Sequence, residues 1–134
     1  MNEFGRIVAA RLAELKADGV VWADVREITP LAECYVVAGA ASDRQLNGFK
    51  EAVYEVAAQT GQKISHTEGR NGSKWIVVDC YDVVVHLFEK TERERIRFDA
   101  LLDRCPCQRL STKTEVDDVA ATKPAVDDRY GEGE

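Results

Sequence analysis

Apolar residues near the start of the chain recur at three- and four-residue steps. Phe4, Ile7, Val8, Leu12 and Leu15 fall on one stripe, and the spacing predicts a helix that stops at Asp18-Gly19. The pattern then changes to apolar runs rich in β-branched and aromatic residues. Residues 20–25 and 34–38 are predicted strands, separated by a break at Thr29-Pro30. Helical periodicity returns after Gly39-Ala40-Ala41. Ser42 and Gln45 have the spacing of a capping box, in which each side chain satisfies a free backbone N–H. Leu46, Phe49, Val53 and Val56 form the stripe behind it, and Gly61 supplies a left-handed stop.

Residues 63–66 are predicted as a short peripheral strand, followed by a Gly- and Asn-rich loop over 68–73. The most apolar stretch comes next. Residues 75–80 and 83–88 are two strands with only Tyr81-Asp82 between them, which predicts an antiparallel hairpin. Both runs carry apolar residues at adjacent as well as alternate positions, so cover is expected on both faces. Thr91 and Glu94 repeat the capping-box spacing ahead of Ile96, Phe98, Leu101 and Leu102, and Cys105-Pro106 ends that helix. The order α-β-β-α-β-β-β-α defines one compact α/β domain over 1–107, a mixed β-sheet covered by helices.

Residues 108–134 change character. They hold seven acidic and four basic residues and few large apolar side chains, and are expected to form an acidic, disordered C-terminal tail.

Composition narrows the function classes. The 134 residues are 45% hydrophobic, enough for a buried core without metal or disulfide staples. The net charge of -6 argues against bulk electrostatic binding to nucleic acid, and no sequence-specific nucleic-acid contact is expected. Half of that charge belongs to the tail, so the domain surface is ordinary and the total is a poor guide to a partner. No run approaches the roughly 18–20 apolar residues of a membrane span. Residues 1–16 mix Glu3, Arg6, Arg11 and Glu14 among apolar positions and match neither a secretory signal nor a transit peptide. Cys34 and Cys80 lie in strand-like runs and the cysteine spacing is no disulfide framework, which points to a reducing, cytoplasmic compartment.

Catalytic chemistry finds little support. Cys105-Pro106-Cys107 has no second ligand pair near it, and His66 and His86 are distant in sequence, so no metal or cofactor is expected. There is no nucleophile–base–orienter set. The folded part has no Asp-x-Asp that would aim two carboxylates at one Mg²⁺. Asp24 is isolated, and Asp79 and Asp82 flank the hairpin turn, where Asp side chains bond backbone groups. A divergent nucleotidyltransferase-like enzyme would have to bind Mg²⁺ and nucleotide with Asp24, Asp79 or Asp82. There is no Walker loop, and the Gly39–Ser42 entry to a helix is a weak anion signal. Trp75 and Tyr81 stand out instead, as aromatics placed where interface anchors occur.

Taken together, Val20-Val21-Trp22-Ala23-Asp24-Val25, Cys34-Tyr35-Val36-Val37-Ala38-Gly39, Ser42-Asp43-Arg44, Glu68-Gly69 and the stretch from Trp75 to Phe88 resemble the ribosomal silencing factor family (RsfS, Iojap-like). The resemblance runs over about residues 3–102, with Arg93 and the helix through Leu101 continuing it. It implies a nucleotidyltransferase-like architecture without the catalytic carboxylates. It implies binding to the large (50S) ribosomal subunit through ribosomal protein L-fourteen, which blocks small-subunit joining when nutrients are scarce. A role in large-subunit assembly is the alternative, and a homodimer is implied for the free protein. The family's partner surface maps onto Trp75, Asp79, Asp82 and His86, with Ser42, Asp43 and Arg44 nearby and Tyr81 at the turn. Three positions depart from the family pattern: Tyr81 in place of Gly, Ile96 in place of Tyr, and Leu102 in place of Trp.

Overall fold

Asn2 starts the first helix, α1 (Glu3–Glu14), by accepting bonds from the N–H groups of Phe4 and Gly5. The computed structural model describes residues 2–69 and 72–110. Phe4, Val8 and Leu12 of the predicted stripe are buried, and Ile7 and Leu15 pack at its margin. The elements that follow are β1 (Asp18–Asp24), β2 (Cys34–Ala40), α2 (Asp43–Thr60), β3 (His66–Glu68), β4 (Trp75–Cys80) and β5 (Val83–Glu89). Two short helices, α3 (Lys90–Ile96) and α4 (Phe98–Leu102), then lead into β6 (Cys107–Leu110). The six strands form one sheet in the order β3-β4-β5-β2-β1-β6. All pairings are antiparallel except β2 with β5. The fold is therefore the expected single α/β domain with a mixed sheet.

Strand alternation divides the core in two. Val20, Cys34, Val36, Ala38, Ile76, Val78, Val83, Val85 and Leu87 face α1 and α2, and this side holds the larger cluster. Gly5 lets α1 lie close to the sheet, because a Cβ there would stand 2.9 Å from Cys34 Sγ. On the other side Val21, Ala23, Val37 and Phe88 pack against Phe98 and Leu102 of α4. Ser42 caps α2 through Gln45 N–H as expected. The Gln45 side chain reaches back to the N–H of Ala41 rather than that of Ser42. Gly61 ends α2 at φ 74°.

Four expectations are corrected. The peripheral strand is displaced from 63–66 to His66–Glu68, because its register is set by pairing with Val77–Asp79. The last helix is capped by Glu89 rather than Thr91, its carboxylate accepting from Glu92 N–H and from the Thr91 hydroxyl. That helix is also broken at Arg97, whose φ of 58° turns the chain so that Phe98 reaches the sheet. Finally, the domain boundary expected at 107 falls inside β6, whose register with β1 extends to Leu110. The remainder of the expected tail, 111–134, lies outside the described residues.

The β4–β5 hairpin carries a strained position. Asp79 Oδ1 accepts from Tyr81 N–H at 2.9 Å, and the Asp82 carbonyl accepts from the N–H groups of Glu33 and Cys34. Asp79 therefore bonds the turn through its side chain, as expected, whereas Asp82 uses its backbone. Tyr81 sits at φ 69°, where a side chain crowds the backbone. Tyr81→Gly is expected to stabilise the fold by about 1 kcal/mol. Urea unfolding checks this: the midpoint should rise with an unchanged slope.

Candidate functional site: an open face of the sheet

The two faces of β4 have different fates. Ile76, Val78 and Cys80 are buried beneath α2, while Trp75 is 38% exposed and Val77 and Asp79 are half-buried. Cover on both faces of the hairpin was the expectation, and on the second face it fails at β4. The reason is length: α4 has five residues and lies over the strands on the β1–β2 side. Its Phe98 reaches only the margin of Trp75, with ring centroids 5.9 Å apart. What remains open is a strip of Trp75, Val77 and Asp79 on β4, Val84 on β5 and Tyr35 on β2, rimmed by His66 and Glu68 on β3.

Trp75 is firmly held in that strip. Its indole stacks on Phe88, its cross-strand partner, with centroids 4.9 Å apart and planes at 28°. Its Nε1–H donates to His86 Nδ1 at 3.2 Å. Gly69 passes behind it at φ +97°, and a Cβ there would stand 2.6 Å from the Trp75 carbonyl. Only glycine lets the loop take that path. The indole is thus fixed before any partner arrives, which lowers the entropy cost of binding.

His86 lies beneath the strip and not on it, at 7% exposure. In the free chain it is buried and orients Trp75 through that bond. Because Nδ1 accepts a bond, the neutral ring carries its proton on Nε2. Nε2 has no hydrogen-bond partner among the described residues. The rings of Tyr35 and Phe98, with centroids at 4.5 and 4.9 Å, surround the imidazole instead. Desolvation pushes its pKa from 6.5 down to about 4. A folded-state pKa below the unfolded one means that the unfolded chain binds the extra proton. Stability from this site is therefore complete above pH 6.5 and is lost as the pH falls toward 4. Urea midpoints at pH 7 and pH 5 should drop for the native chain and drop less for His86→Asn.

The other expected residues divide by position. Ser42, Asp43 and Arg44 are exposed where β2 runs into α2, at the end of the sheet that holds Phe88 and Trp75. Tyr81 and Asp82 are exposed at the opposite end of β4, roughly 17 Å away at a strand rise of about 3.3 Å. The two groups therefore lie at opposite ends of β4. Asp24 and Asp79 project from opposite faces and are three strands apart in the sheet order. Asp24 is also paired with Arg26, which holds its carboxyl down to about 2. These carboxylates do not converge on one Mg²⁺. Tyr35, Val77, Val84, His66 and Glu68 are not among the partner-binding residues expected from the sequence. The period-two spacing Trp75–Val77–Asp79 is the signal that leads to Val77.

The fold and site define a class: a small α/β domain with two helices packed on one side of a mixed sheet and an aromatic strip open on the other. The family model described as "Ribosomal silencing factor during starvation" matches residues 1–132. The chain is 28% identical to the ribosomal silencing factor RsfS of Bacillus subtilis, over 75% of this chain and 86% of that protein. It is 30% identical to RsfS of Halalkalibacterium halodurans, over 81% and 93%. A solved structure from Chromobacterium violaceum superposes with a TM-score of 0.71 at 27% identity, covering 77% of this chain and 88% of that one. This chain belongs to the ribosomal silencing factor family.

Proposed function

We propose that the protein represses translation in the cytoplasm by binding the large ribosomal subunit through ribosomal protein L-fourteen, so that the small subunit is kept from joining under nutrient limitation. The observation that carries this reading is the strip that holds Trp75. It has the make-up of a protein-docking surface: a preorganised aromatic, neighbouring Val77, Val84 and Tyr35, and a charged rim. Glu68 on the rim and Asp79 at the end of the strip are acidic, and such groups steer a basic partner toward the patch. The family's description and the names of its relatives supply the ribosome as the place of action. Trp75 contributes from one end of the strip, with Ser42, Asp43 and Arg44 beside it, and Asp79 from the other. Tyr81 and Asp82 belong to the far margin.

Sedimentation tests the proposal. The protein should comigrate with 50S particles and reduce 70S formation when 30S subunits are added. Migration as free protein in the presence of both subunits would refute it.

A further inference from the structure

The four cysteines fall into two chemically different pairs. All are reduced thiols. Cys34 and Cys80 are 0% and 1% exposed, and burial pushes their pKa values up to about 12 and about 11. Such thiols are inert. Cys105 and Cys107 are both partly exposed, are separated only by Pro106, and pack against the same sheet-side cluster. Desolvation, and then the neighbouring Cys107, raise the pKa of the Cys105 thiol.

The pair also occupies a structural junction. Cys105 closes the turn after α4, with its N–H bonded to the Leu102 carbonyl at 3.0 Å. Cys107 opens β6 opposite Ala23, and the Pro106 carbonyl accepts from Asp24 N–H at 2.9 Å. In extended chain alternate side chains leave the backbone on one face roughly 6.6 Å apart, beyond the about 3.5–4.5 Å between the Cβ atoms of a disulfide. Closing a bond from Cys105 to Cys107 therefore requires the backbone at Pro106 to contract. Contraction draws the Pro106 carbonyl away from Asp24.

We propose that Cys105 and Cys107 form a thiol–disulfide modification site whose oxidation loosens the attachment of β6 to β1. The oxidant class is a small-molecule disulfide. One cysteine thiolate attacks it, forming a mixed disulfide and releasing one thiol. The second cysteine displaces the other half as a second thiol, closing the Cys105–Cys107 bond. Two protein thiols are oxidised and one disulfide is reduced to two thiols, with the two protons passing to the released thiols. A strained bond of this kind is easily reduced again, as a reversible switch requires.

The test uses the full chain, reduced and then incubated with oxidised glutathione. Trypsin cleaves after Arg104 and Arg109, leaving both cysteines in one peptide that contains no other. That peptide should lose two hydrogens and regain them with a dithiol reductant. In Cys105→Ser the reaction should stop at one glutathione on Cys107. Amide exchange at Asp24 should quicken at least about tenfold in the oxidised chain, as a local opening would produce. Persistent glutathione adducts on the native chain, linkage to Cys34 or Cys80, or chain-to-chain dimers would overturn the site. An unchanged Asp24 amide in the oxidised chain would overturn its coupling to β6.

Discussion

Trp75→Ala is expected to weaken the proposed binding to the 50S subunit about thirtyfold or more, the effect of removing an aromatic anchor worth about 2 kcal/mol. The fold should survive, because Trp75 is 38% exposed and lies near the edge of the core. The truncation also leaves His86 Nδ1, now bonded to the indole, without its donor. A stability loss of about 1–2 kcal/mol is expected from that orphaned acceptor and the lost stacking on Phe88. Trp75→Phe separates the two effects: it keeps a ring on Phe88 but has no N–H to donate. Affinity for purified 50S particles at fixed salt, read beside urea midpoints, is the measurement. Native affinity in a folded Trp75→Ala protein would remove this residue as the anchor.

The largest stability effect is expected at Arg93. Its side chain is 8% exposed, and its guanidinium makes four hydrogen bonds. Nε and Nη2 donate to the two carboxylate oxygens of Asp99 at 2.8 and 3.3 Å, and Nη1 donates to the carbonyls of Gly19 at 2.8 Å and Asp18 at 3.3 Å. One guanidinium therefore ties α3 to α4 and both to the start of β1. Arg93→Met keeps apolar bulk but removes both carbonyl bonds and the clamp between the helices, a loss of about 2–3 kcal/mol. Asp99→Asn should cost less, because the Arg93 bonds to the Gly19 and Asp18 carbonyls remain and the Asn side-chain oxygen still accepts from the guanidinium. Thermal unfolding of both variants checks the order; equal losses would mean that the carbonyl bonds contribute nothing.

Much of this architecture was legible in the chain. The stripe from Phe4 to Leu15 and the stripe behind Ser42 are period-3.6 signals long enough to outweigh local ambiguity. The hairpin was legible because two apolar runs flanked a two-residue turn. Shorter features were not. His66–Glu68 has no pattern of its own and is a strand only because β4 supplies its partners. Likewise Cys107–Leu110 reads as polar chain until its pairing with β1 is known. The break at Arg97 was invisible because the residue carries no turn signature; its left-handed conformation is imposed by the fit of Phe98 against the sheet.

The candidate site shows the same division. Local pattern determined that Trp75 and Tyr81 were prominent and that catalytic carboxylates were not grouped, because these are matters of residue type and spacing. The family likeness extended this to Asp79, His86 and the Ser42–Arg44 segment. Tertiary structure decided which of them share a surface. Exposure on a sheet depends on what packs above each strand, and the cover over β4 depends on how far a five-residue helix reaches. That distance placed Trp75 in the open, with His86 buried beside it. Residue order specified the strands and helices through periodic burial; the open face arose from the mismatch in size between the sheet and the helices laid across it.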